Sequence, residues 1–389
     1  VAHSRPCFGE IGVVPPLHHT FACMHGATLR FLRQYFRPDA GIIDVSETTF
    51  ARDAEMLPAS IYRHRKRREY NTAWVVLHGI TYRGRQHKGL QRFAGAMAAA
   101  GHFVFIPEIP EWTQFKIAPA LAVPTIRAAV HALHSRADID RDRIGLFAFS
   151  FGGTHAIVAA SNEAIERELK GVVSWGGYET VHRLLHFGLT GEHELDGVRY
   201  RSEPDPYGRW VTGANYLTKM SGFEDMGDVA NALLELATAA GERGIYAGDP
   251  SFEPLKHDLA ARFTGEKLRV FDVFAPRGRV VGSDRSYAHE LAGPFADVVI
   301  KHDPLMDPTQ AFQRIRVRTF LAHGRDDRLI PFTESLRASR RIPPEMLAGV
   351  AVTGLFAHSG GTSTSLTFSG KVREGALFLS TLDRALSLI

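Results

Sequence analysis

The stretch that most restricts how this chain can fold is Arg143-Ile144-Gly145-Leu146-Phe147-Ala148-Phe149-Ser150-Phe151-Gly152-Gly153-Thr154. Ile144 to Phe149 is a short apolar run of the kind that forms a strand buried on both faces. Beyond Gly152 and Gly153 the pattern becomes helical, with small and apolar residues at Ala156, Ile157, Ala159 and Ala160. A serine between such a strand and such a helix sits where the backbone must turn sharply, so the positions two residues either side have to be small. Here they are Ala148 and Gly152, alanine standing where glycine is usual. In this arrangement the hydroxyl projects from the sheet, above helix N–H groups that have no intrahelical acceptor. An ordinary N-capping serine at a strand-to-helix turn would look similar, so the surrounding chain has to decide.

Upstream, Ala73 to Leu77 reads as another buried strand and ends in His78-Gly79-Ile80. A backbone N–H just past that glycine can point at the same spot as the N–H of Phe151, which makes Ile80 and Phe151 the candidate oxyanion donors. Helix Leu90 to Ala100, strand Phe103 to Ile106 and a helix from about Val123 to Ser135 then lead into the serine strand. This alternation predicts an α/β protein with an open, mostly parallel, doubly wound sheet. Before it, Ala27 to Phe36 has helical spacing, and Thr48 to Phe50 and Ala59 to Tyr62 look like short strands. The basic run from Arg63 to Arg68 reads as a solvated turn.

After strand Lys170 to Trp175 the alternation breaks off until about Ala311. The interval is rich in helix formers, as in Val229 to Ala240 and Phe252 to Phe263, and is expected to be a mainly helical cap inserted between core strands. His182 and His186 lie four apart there without the Glu of a metalloprotease helix, and read as helix-surface residues. The sheet pattern returns at Val317 to Ala322, followed by His323-Gly324-Arg325-Asp326-Asp327-Arg328-Leu329-Ile330-Pro331. A last strand, Val350 to Leu355, ends in Phe356-Ala357-His358, and a helix from about Val372 to Leu386 closes the chain. Serine, aspartate and histidine thus follow one another, each just past a core strand, in the chain order of an acyl-transfer triad.

On these residues the chain resembles the α/β-hydrolase superfamily. The run Ala137-Asp138-Ile139-Asp140-Arg141-Asp142-Arg143-Ile144-Gly145-Leu146, leading into Ala148-Phe149-Ser150-Phe151-Gly152-Gly153, is similar to the branch of dienelactone hydrolases and prolyl-oligopeptidase-type catalytic domains. His323-Gly324-x-x-Asp327-x-x-Ile330-Pro331 resembles the superfamily's acid loop, which implies Asp327 as the acid, with the adjacent Asp326 as the alternative. The resemblance covers about residues 46–177 and 306–389, leaving 1–45 as an N-terminal extension and 178–305 as the cap. It implies Ser150 as nucleophile and His358 as base. Serine rather than the cysteine common in dienelactone hydrolases points toward an ester or thioester as substrate. A carbon–carbon bond hydrolase, an amidase or peptidase, an acyltransferase and a non-catalytic binder on the same fold are the competing readings. Trp175, Tyr178 and Trp210 are candidates to line an apolar or aromatic acyl pocket.

Composition excludes several other classes. With 46 basic and 42 acidic residues in 389, the net charge of +4 gives no argument for nucleic acid. No window approaches the ~18 apolar residues of a membrane span, and no signal peptide is expected from Val1–Glu10. Two cysteines, Cys7 and Cys23, are too few for a disulfide scaffold and read as reduced thiols of a cytoplasmic protein. His18, His19 and His25 lie near Cys23 without metal-ligand spacing, so no metal is expected. Neither dinucleotide nor P-loop glycine motifs occur, and the mechanism needs no cofactor. The expected partner is a small-molecule acyl substrate; the oligomeric state stays open, a homodimer included.

Overall fold

The computed structural model describes residues 26–67, 69–278, 282–354 and 368–389. Eight strands form one sheet: β1 (Ile43–Arg52), β2 (Glu55–His64), β3 (Ala73–Leu77), β4 (Phe103–Pro107), β5 (Ile144–Phe149), β6 (Gly171–Trp175), β9 (Arg318–Gly324) and β10 (Leu347–Thr353). A separate two-stranded hairpin comprises β7 (Glu192–Leu195) and β8 (Val198–Arg201). The sheet order is β1-β2-β4-β3-β5-β6-β9-β10. β2 runs antiparallel to both β1 and β4, and every other pairing is parallel. All strand ends from β3 to β10 that follow a parallel pairing therefore open on one edge, where ligands bind in open α/β sheets.

The alternation of side chains across the pleat divides β5 between two cores. Ile144, Leu146 and Ala148 join the larger apolar cluster, while Phe147 joins the smaller one on the opposite face. The smaller cluster is covered by helices Gly26–Phe36, Lys88–Ala100 and Phe368–Leu386. Phe31 of the first of these meets Phe93 edge-on with ring centroids 5.2 Å apart. That helix is thus part of the packed core, and β1 begins at Ile43, so the sequence boundary at residue 46 falls inside a strand. β1 is an edge strand with alternating exposed polar residues such as Ser46 and Thr48, which blurs its beginning in sequence. At the opposite edge, β10 starts earlier than expected and its register shifts between Leu347 and Gly349.

Between β6 and β9 the chain leaves the sheet for six helices of at least eight residues and the β7–β8 hairpin. Their apolar residues, including Trp210, Leu233 and Phe274, belong to the same cluster as the sheet face under them. The exit and return are cross-tied. The Tyr178 hydroxyl donates to the Met306 carbonyl at 3.0 Å. Glu334, 1% exposed, accepts the N–H groups of Glu179 (2.9 Å) and Thr180 (3.0 Å) on one oxygen and Arg183 Nε (2.8 Å) on the other. Glu179 is itself buried between Arg183 and Arg341. No helix among the described residues is long and apolar enough to cross a membrane.

Candidate active site

Ser150 sits one residue past β5 and caps the helix Phe151–Ala160 with φ 57° and ψ −135°. That conformation is rarely adopted by an L-residue and costs of order 1–3 kcal/mol, so the surroundings must impose it. They do so through backbone contacts. Ser150 N–H donates to the Trp175 carbonyl at 2.8 Å, and Gly153 N–H donates to the Ser150 carbonyl at 2.8 Å. The helix behind the turn is buried on every side. The loop after β3 crosses so closely that a Cβ on Gly152 would lie 2.3 Å from the His78 carbonyl oxygen. One on Gly79 would lie 3.0 Å from Ser150 Cβ and 3.3 Å from its Oγ. Glycine at both positions is therefore a condition of the approach.

This close crossing carries Ile80 to the same cavity as Ser150 and Phe151. Phe151 is the first residue of its helix, so its N–H has no intrahelical acceptor. His78 is packed inside, edge-on to Trp112 at 5.6 Å. Its Nδ1 lies 2.6 Å from the Gly79 carbonyl, to which it donates, and burial holds its pKa down to about 4. His155, one turn into the helix, stacks on Phe151 at 4.1 Å and is likewise held to about 4 by burial. Both imidazoles are neutral supports of the turn rather than proton carriers at neutral pH.

Asp327 lies three residues past β9 and is 5% exposed, whereas Asp326 points to solvent. Its Oδ1 accepts the N–H groups of Leu329 (2.8 Å) and Ile330 (3.0 Å), which fixes the plane of the carboxylate. His323 braces the loop from beneath: its Nε2 donates to the Ile330 carbonyl at 2.9 Å and its Nδ1 accepts from Ser335 Oγ at 2.7 Å. Of the two adjacent carboxylates only Asp327 is thus buried. His358, expected just past β10, lies outside the described residues, as do Cys7, Cys23, His18, His19 and His25.

Over Ser150 the inserted helices form a roof. Val181–Thr190 brings Leu184 and Leu185, and Pro206–Tyr216 brings Tyr207, Arg209 and Thr212, around a mainly apolar cavity of about 70 Å³. The Tyr207 hydroxyl donates to the Ile80 carbonyl at 3.2 Å. Asn215 clamps the loop after β4, accepting from Ile117 N–H at 3.0 Å and donating to the Phe115 carbonyl at 2.8 Å. The three aromatics expected to line the pocket do not. Trp175 faces the opposite core beside Phe147, Tyr178 joins exit and return of the insertion, and Trp210 packs on Phe252 within the roof. Each is a large side chain fully buried where elements meet, a role that aromatic content in sequence cannot separate from substrate contact. The lining residues Tyr207 and Arg209 carried no motif; only their place in the first turn of a helix after Asp205-Pro206 could have drawn attention to them. Among the described residues no group of three or more His, Cys, Asp or Glu is placed to hold a metal.

No protein-family model and no curated protein matches the chain in sequence. Among solved structures it is similar to acylaminoacyl peptidase from Pyrococcus horikoshii, at 12% identity and TM-score 0.45 over 89% of this chain and 42% of that one. It is also similar to brefeldin A esterase, a bacterial homologue of human hormone-sensitive lipase, at 14% identity and TM-score 0.46 over 99% of this chain and 90% of that one. For Est1E from Butyrivibrio proteoclasticus the values are 13% and 0.42, over 86% and 98%. The chain thus spans about two fifths of the peptidase but most of brefeldin A esterase and of Est1E. Judged by its own strand order, by the antiparallel β2, and by the serine turn between β5 and a buried helix, the chain has the α/β-hydrolase fold.

Proposed function

We propose that the chain is a serine hydrolase that cleaves a carboxylic ester or thioester through an acyl-enzyme. Ser150 Oγ attacks the acyl carbon while His358 takes its proton, and Asp327 holds the imidazole in the tautomer that can accept it. The N–H groups of Ile80 and Phe151 receive the oxyanion. Collapse expels the alcohol or thiol with the proton from His358. Water, deprotonated by the same imidazole, then releases the acid and regenerates the serine.

The observation that carries this reading is the backbone of Ser150, held at φ 57° over a buried helix N-terminus and opening on an apolar cavity. Topology supports the participation of His358. β5, β6, β9 and β10 are parallel neighbours, so the ends of β5 and β10 stand three strand spacings apart, ~14 Å. His358 is five residue steps along the chain from Thr353, and an extended chain of five steps reaches ~17 Å. An apolar, roofed cavity supports a small acyl group over a polypeptide as the substrate.

A fluorophosphonate probe is expected to label Ser150. Ser150→Ala should abolish labelling and lower p-nitrophenyl ester turnover by several orders of magnitude. Equal turnover by the folded variant would remove Ser150 from the mechanism.

A further inference from the structure

The cavity holds a charge that the ester reaction does not use. Arg209 lines it together with Ser150 and is only 8% exposed. Its Nη1 reaches one acceptor, the Val273 carbonyl, at 3.4 Å, and its buried Nε has no partner. No carboxylate among the described residues lies within 4.0 Å of the guanidinium, which takes part in none of the ion pairs.

Asp205, four residues earlier on the same helix, shares the cavity lining, but its Oδ1 is engaged by Tyr207 N–H at 3.0 Å. Together with Glu203 and Tyr246 it is near enough to favour the cation without bonding to it, but burial outweighs them and brings the guanidinium down to about 10. It therefore stays charged at neutral pH.

Its placement is unfavourable on a second count. Arg209 stands in the first turn of the helix Pro206–Tyr216, the end at which the helix dipole repels a cation. A buried, under-bonded guanidinium at the wrong end of a helix weakens the fold unless something else makes use of it. Its forked N–H groups match a planar carboxylate, and the remaining lining is apolar apart from Ser150, Asp205, Tyr207 and Thr212.

We propose that Arg209 is a specificity-determining residue that receives a carboxylate on the substrate. The preferred esters are then half-esters of dicarboxylic acids, whose apolar spacer lies between the scissile carbonyl at Ser150 and the free acid at Arg209. This inference rests on the serine-hydrolase reading.

The test separates the two. Turnover is measured on p-nitrophenyl half-esters of the succinic to pimelic series and on their methyl-capped, uncharged counterparts. The wild type is expected to favour the charged ester at least tenfold in kcat/KM at one spacer length, and Arg209→Met to bring that ratio close to one, with Arg209→Lys between them. A wild-type ratio near one at every length, or a ratio unchanged in Arg209→Met, overturns the inference while leaving the hydrolase intact.

If no ester is turned over, the hydrolase reading fails and binding decides. Calorimetry on the Ser150→Ala protein with monomethyl adipate and dimethyl adipate should show binding of the acid alone, and its loss when Arg209→Met is added. Equal binding of both compounds, or of neither, overturns the carboxylate site. Because removing an orphaned charge should not unfold the chain, Arg209→Met is expected to melt no lower than the wild type; a collapse in melting temperature would assign Arg209 to structure instead.

Discussion

At Gly152 one hydrogen atom separates a working turn from a collision. Adding a methyl there puts it 2.3 Å from the His78 carbonyl oxygen, a backbone atom that cannot yield without dragging Gly79 and Ile80 away from Ser150. Gly152→Ala should therefore cost about 1–3 kcal/mol of stability and most of the proposed ester hydrolysis, read by thermal melting and by probe labelling. Gly95 offers the control. It sits inside the helix Lys88–Ala100 with nothing within 4 Å of a new Cβ, so Gly95→Ala should stabilise by about 0.5–1 kcal/mol. Single residues were also where sequence reading was strongest and weakest. Ser150 and Asp327 are set by short backbone turns, and such turns leave local patterns of small residues and proline. Trp175, Tyr178 and Trp210 were misplaced because the face an aromatic side chain takes depends on distant partners. Arg209 went unread for the same reason: what marks it is the lack of a carboxylate partner among the described residues, which appears only when helices meet.

At the scale of elements, the roof and the oxyanion loop are joined by one bond, from the Tyr207 hydroxyl to the Ile80 carbonyl. That bond holds the same loop whose next function would be to offer Ile80 N–H to the oxyanion. Tyr207→Phe keeps the ring and removes the donor. It is expected to lower kcat roughly three- to tenfold, the worth of one ordinary hydrogen bond, with the melting temperature within a few degrees of wild type. An unchanged kcat would mean that the loop is set by the glycine packing alone. The strands β3, β5, β6 and β9 were legible because apolar runs bounded by glycine persist wherever a strand is buried on both faces. The edge strands were legible only in part, since β1 alternates with solvent and β10 carries a register shift. In the insertion the helical stretches Val229–Ala240 and Phe252–Phe263 were legible, but the packing of helices Val181–Thr190 and Pro206–Tyr216 onto Ser150 was not, because periodicity gives a face and not its neighbour.

For the whole molecule, three fully buried imidazoles weigh on how it meets acid, alongside the half-buried His193, which burial also holds to about 4. His78, His102 and His155 are each buried and each held to about 4 by that burial. Once unfolded they would bind protons near the ordinary 6.5, so the unfolded chain carries more protons between about pH 6.5 and 4. Stability is therefore full above pH 6.5 and declines as pH falls through that window, by on the order of 1–3 kcal/mol for each histidine. Denaturant midpoints should hold from pH 7.5 to about 6.5 and fall from there to 4.5. His102→Gln, remote from the serine turn, should flatten part of the slope, and an unaltered slope would shift the cause to the carboxylates.

The apolar cluster that runs without a break from the sheet face through Leu233 and Phe274 has a bearing on how a molecule reaches Ser150. A lid hinged at its two ends would have to strip that shared interior bare each time it lifted. A swing of that kind is therefore disfavoured, and the side chains that helices Val181–Thr190 and Pro206–Tyr216 bring to the cavity help bound the width of what fits beside Ser150.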